Sequence, residues 1–68
     1  MIAYETPNTI YMVNKIEQFK LYDNYLIRFN DDTIYKSYET KEEAELNYNE
    51  LCKYLKQDKL IILKRDDD

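Results

Sequence analysis

The sequence predicts a small α+β domain, a single-layer, mostly antiparallel sheet in the order β-β-β-α-β with one helix packed on one face. Three observations predict it. β-forming residues dominate from Thr9 to Tyr38 and are interrupted by two short polar pairs, Asp23-Asn24 and Asp31-Asp32. A capped apolar stripe at helical spacing follows, from Thr40 to Leu55. A last aliphatic run, Leu60-Ile61-Ile62-Leu63, comes after it. The 68 residues leave room for one core, since a chain of this size buries only about 60% of the surface its unfolded form exposes.

Met1 to Asn8 reads as a short lead ending at Pro7 and Asn8. Between Thr9 and Tyr22 the apolar spacing changes phase near Asn14-Lys15, so a bulge or break is expected there. Tyr25 to Asn30 is a second strand and Thr33 to Tyr38 a third. Register follows from which loop length sets apolar residues opposite each other. A three-residue loop at 23–25 pairs Leu21 with Ile27 and Phe19 with Phe29, with an Asn taking the left-handed position a glycine would fill. A two-residue Asp31-Asp32 loop then sets Phe29 opposite Ile34. This register gives Phe19, Leu21, Ile27, Phe29, Ile34 and Tyr38 to the covered face.

Thr40-Lys41-Glu42-Glu43 is a capping box, in which the Thr40 hydroxyl accepts from the Glu43 amide. Ala44, Tyr48, Leu51, Cys52 and Leu55 form one stripe. Acids early (Glu42, Glu43, Glu45) and bases late (Lys53, Lys56, Lys59) suit the helix dipole. Leu60 to Lys64 is apolar on both faces and is expected to be flanked within the sheet, returned there by a right-handed crossover. Residues 1–65 form one domain, and the acidic run 66–68 is expected to be a disordered tail. The Tyr38-x-Thr40-x-Glu42-Glu43-Ala44 join loosely resembles the sheet-plus-helix arm domains of phage integrases. Those are basic and this chain is acidic, and such joins recur in unrelated small domains, so no family follows from it.

The inventory excludes much chemistry. There is no histidine, hence no Ser-His or Cys-His pairing and no imidazole ligand. There is no glycine, hence no phosphate-cradling loop. Cys52 stands alone, so neither an internal disulfide nor a zinc site is available. Asn30, Asp31 and Asp32 offer oxygens, but a hairpin tip lacks the converging ligands calcium needs. Enzymatic activity, a metal and a cofactor are therefore not expected. Met1 to Glu5 has no basic segment followed by an apolar stretch, and the longest aliphatic run has four residues, so neither a signal peptide nor a membrane span is expected. The lone cysteine places the chain in a reducing cytoplasm. Eight Tyr, seven Ile, eight Lys and six Asn suggest an AT-rich genome, such as that of a low-GC bacterium or its phages.

Two surfaces remain as candidates. The uncovered sheet face carries Lys20, Tyr22, Leu26, Arg28 and Tyr35, with Ser37, and no acid, in a chain of net charge -4. Arg and Tyr suit protein contact and also base stacking. The outer helix face, with Glu39, Glu42, Glu43, Leu46 and Glu50, offers an apolar anchor among carboxylates to a basic partner. The expectation is a small non-enzymatic binding protein, encoded by a phage or mobile element, that inhibits or regulates a host protein by occupying its surface. The alternatives are single-stranded nucleic-acid binding through the sheet face, disfavoured by the net charge, and a homodimer packed through that face.

Overall fold

A computed structural model describes residues 1–65, so the acidic run at 66–68 lies outside the described residues. Six strands and one helix form, in the order β1 (Ile2–Glu5), β2 (Ile10–Val13), β3 (Ile16–Leu21), β4 (Asn24–Phe29), β5 (Thr33–Tyr38), α1 (Lys41–Lys56) and β6 (Ile61–Lys64). The α+β class is as the sequence predicts. The strands divide into two three-stranded sheets, β2-β1-β6 and β3-β4-β5. The break at Asn14-Lys15 is where one sheet ends and the other begins, with Val13 and Ile16 both buried beside it.

The first residues are not a lead. β1 is the central strand of its sheet, antiparallel to β2 and parallel to β6. Its side chains Ile2 and Tyr4 are among the largest fully buried groups. The ring of Tyr4 meets Phe29 edge-on at 5.5 Å and Tyr35 edge-on at 5.4 Å, while Phe29 and Tyr35 stack at 4.8 Å. This three-ring contact joins the two sheets, and edge-to-face and stacked rings each add to plain area burial. β6 is correspondingly not flanked. It is an edge strand beside β1 rather than a return to β5, because β1 supplies the parallel partner.

Both hairpins differ from expectation, in opposite senses. The β3–β4 turn has two residues, Tyr22 and Asp23, and sets Leu21 opposite Asn24, Phe19 opposite Leu26 and Ile16 opposite Phe29. The β4–β5 loop has three, Asn30 to Asp32, and sets Phe29 opposite Thr33. Positive φ falls on Tyr22 (56°), Asn30 (55°) and Asp31 (71°). Counting apolar pairs fails at the first turn because the ladder sets Phe19 and Leu21 on the side away from the core. In exchange, Ile16, Ile27 and Phe29 share the buried side.

The helix forms as read. Thr40 is its N-cap and accepts from the Glu43 amide at 3.2 Å. Ala44 and Leu51 are buried, with Tyr48, Tyr54 and Leu55 packed partly against the core. The stripe faces β3, β4 and β5. The helix stops where Gln57 turns extended at ψ 147°. There the Met1 amino group donates to the carbonyls of Tyr54 (2.8 Å) and Leu55 (3.2 Å), placing positive charge at the negative end of the helix dipole.

Candidate functional site

With the helix and the β2-β1-β6 sheet gathered around one core, each sheet turns one face outward. On β3-β4-β5, residues paired across the ladder share a side. Ile16, Ile27 and Phe29 point inward, so Glu17, Phe19, Leu21, Leu26 and Arg28 point outward. Ile34, opposite Arg28, joins them. Leu21 and Ile34 are about half exposed, and Phe19 and Leu26 are partly buried by their neighbours.

Arg28 sits on the central strand of this face, in its last outward row, between Glu17 and Ile34. Its Nε and Nη2 both donate to Glu17 Oε1, at 3.1 and 3.0 Å, and its guanidinium lies 4.9 Å from the Phe19 ring centroid. The group is held by a carboxylate on one side and a π-face on another, with aliphatic side chains around it. Tyr22, at the turn beside this face, is 87% exposed.

The five residues expected on an open face do not share one. Leu26 and Arg28 lie on it, and Tyr22 stands at its rim. Lys20 lies opposite Tyr25, on the side of Ile27, with its Nζ 5.5 Å from the Tyr25 ring. Tyr35 turns inward against Phe29 and Tyr4. A register shift between Ile27 and Arg28 is the cause: Ile27 pairs with Lys36 and Arg28 with Ile34, so Tyr35 is an extra residue and its ring is re-aimed. Phe19, Leu21 and Ile34, expected inward, take the outward positions instead. Nothing in the period-2 pattern marks this bulge, whereas testing a two-residue turn at Tyr22-Asp23 finds the β3–β4 register.

The outer face of β2-β1-β6 was not foreseen at all. Ala3 pairs with Met12 on one side and Ile62 on the other, and Glu5 pairs with Ile10 and Lys64. Met1 and Leu60 extend the same side by alternation, joined by the Ile61 amide on the Met1 carbonyl at 2.9 Å. Met1, Ile10, Met12, Leu60 and Ile62 are each 46–64% exposed around the buried Ala3. The signal was present in Ile2-Ala3-Tyr4, a short β-forming run bounded by Pro7-Asn8.

On the helix, Leu46 is 68% exposed, and Glu42, Glu43 and Glu50 are exposed with it. Glu39 is exposed just before the cap. Glu50 lies toward the flank, where it accepts from the Tyr54 hydroxyl and lines a groove of about 250 Å³ with Tyr35, Asn47, Leu51, Tyr54 and Leu63. That hydrogen bond raises the Tyr54 phenol above its usual range. At the far corner, Lys15 Nζ meets Asp31 Oδ1 at 2.7 Å, which raises the lysine and lowers the carboxyl.

Cys52 is only half-buried on the helix stripe, less covered than a core position implies. Among the described residues no group of three or more His, Cys, Asp or Glu is placed to hold a metal ion, and no helix is long and apolar enough to cross a membrane. Comparison of the chain with protein-family models, with curated proteins and with solved structures gives no match.

Proposed function

We propose that this chain is a non-enzymatic binding protein that acts by covering a surface of another protein, as an inhibitor or regulator of a host protein encoded by a phage or mobile element does. The observation that supports it is the outer face of β3-β4-β5. There a pre-positioned Arg28, braced by Glu17 and Phe19, is flanked by Ile34 on β5 and Leu26 along β4, with Leu21 continuing the apolar surface further along β3. Binding energy in protein interfaces concentrates in Arg and aromatic side chains surrounded by apolar contacts that exclude water. An arginine already fixed in place loses little rotamer freedom on binding. The same geometry speaks against nucleic acid as the ligand. Arg28 already has a carboxylate partner, Tyr35 is stacked on Phe29 against the core, and Lys20 lies on the other side of the sheet.

The phage origin rests on composition, and the host-protein partner on size, charge and the missing catalytic groups. Affinity capture from a low-GC bacterial lysate tests the surface with three forms: wild type, Arg28→Glu with Ile34→Asp, and Leu46→Asp with Glu50→Lys. The expected result is one partner recovered by wild type and by the helix-face variant and lost from the sheet-face variant. Equal recovery by the sheet-face variant would contradict the assignment.

A further inference from the structure

We infer that the outer face of β2-β1-β6 is a self-association surface, occupied in solution by the same face of a second copy of this chain. The inference goes beyond the proposed partner-binding face, which lies on the other sheet. Its first support is composition. Met1, Ile10, Met12, Leu60 and Ile62 are aliphatic or thioether side chains, with no Arg, Tyr or Phe among them. Interfaces between identical subunits are more apolar than those between separate partners.

Charge gives the second support. The chain carries a net -4, so two copies repel over most of their surfaces. This face holds one acid and one base, Glu5 and Lys64, adjacent across the β1–β6 ladder, and is neutral otherwise. A second copy meets no like-charge excess there, while a strongly acidic or basic partner gains nothing from it. Shape gives the third. Sheets pack face to face about 10 Å apart when their outward side chains interdigitate. Ala3 is buried between Met12 and Ile62, so the face is closed over and presents a continuous apolar surface to an identical one on a two-fold axis.

Area sets the strength. A standard interface takes about 800 Å² per partner, roughly one-sixth of the 5120 Å² this protomer exposes. A dimer held by one three-stranded face alone is a weak one that dissociates on dilution.

Sedimentation equilibrium from about 1 μM to about 1 mM, the range expected for an interface of this size, reads the association. Wild type is expected to pass from monomer to dimer. Ile62→Lys and Leu60→Lys, both at exposed positions, are expected to weaken the dimer at least ~10-fold with unchanged far-UV circular dichroism. Arg28→Glu with Ile34→Asp is expected to leave it intact. Wild type that stays monomeric throughout, or a dimer that both lysine variants retain, overturns the inference without touching the partner-binding reading. A monomer that adsorbs to phosphatidylcholine vesicles and loses this on Ile62→Lys overturns it in favour of a lipid surface. A dimer lost on Arg28→Glu with Ile34→Asp but kept by both lysine variants overturns it and assigns self-association to the other sheet.

Discussion

Arg28 places Nε and Nη2 on one oxygen of Glu17, directly across the β3–β4 ladder, and lays its guanidinium over the Phe19 ring two residues along β3. Both side chains are about one-third exposed, so the pair is screened by solvent. A double-mutant cycle with Arg28→Ala and Glu17→Ala is expected to give a coupling of about 0.5–1 kcal/mol by urea unfolding. Labelled oligothymidylate at low salt is expected to show no saturable anisotropy change with wild type. Salt-dependent binding lost on Arg28→Ala would restore the nucleic-acid reading.

Two turn residues with positive φ respond oppositely to glycine. Tyr22 holds φ 56° with its side chain in solvent, so it has strain and little burial to lose. Tyr22→Gly is expected to stabilise by roughly 0.5–1 kcal/mol, the relieved left-handed conformation outweighing the added freedom of the unfolded chain. Asn30 holds φ 55°, but its side chain also ties the two sheets together. Its Oδ1 accepts from the amides of Asn14 (2.7 Å) and Lys15 (3.2 Å), and its Nδ2 donates to the Met12 carbonyl at 2.9 Å. Asn30→Gly is expected to destabilise by about 1–3 kcal/mol. Denaturant midpoints of the two variants, shifting in opposite directions, check both statements.

Tyr4 separates a core strand from a dispensable lead. Removing its ring from the contact with Phe29 and Tyr35 is expected to cost about 3–5 kcal/mol. That is most of the stability a domain of this size holds. Tyr4→Ala is therefore expected to be largely unfolded at room temperature by near-UV circular dichroism, while Ile10→Ala, at an exposed position of the neighbouring strand, melts within a few degrees of wild type.

Burial around Tyr38 pushes its phenol up to about 12, with Tyr35 and Glu43 adding to the shift, and its hydroxyl has no hydrogen-bond partner among the described residues. The neutral phenol is the form the fold accommodates. Its stabilising contribution is complete below pH ~10, where the unfolded phenol titrates, and is lost progressively as pH rises from about 10 to about 12. Unfolding free energy measured from pH 8 upward is expected to fall over that window by roughly 2–3 kcal/mol more in wild type than in Tyr38→Phe. Below pH 9, Tyr38→Phe is expected to be neutral or slightly stabilising, since it removes a buried group that bonds to nothing. Parallel curves for the two proteins would show that Tyr38 does not titrate in this way.

The helix was legible residue by residue, because a capping box and a 3.6-residue stripe are local signals. The strand break at Asn14-Lys15 was legible for the same reason. Register was not. Without glycine the turns use Tyr22, Asn30 and Asp31 at positive φ, and an aromatic residue carries no mark of that role. Shifting the β3–β4 pairing by an odd number of residues relative to the expected one exchanged Phe19 and Leu21 between faces, the outcome a period-2 pattern allows. Tyr35 moved inward through a bulge that only its contacts with Phe29 and Tyr4 explain. β1 was missed because a four-residue run shortly before a proline looks like a terminus until a partner strand 59 residues away is in place. On the candidate sheet face, Leu26 and Arg28 point outward as the sequence placed them, and the face around them had to come from the ladder.

Methyl-labelled protein, titrated with the partner recovered by capture, tests the central claim most directly. Protein contact through the outer face of β3-β4-β5 predicts that the methyl signals of Leu21, Leu26 and Ile34 shift or broaden while that of Leu46, on the far side of α1, stays in place. Perturbation centred on Leu46 with Leu26 and Ile34 unmoved would contradict it.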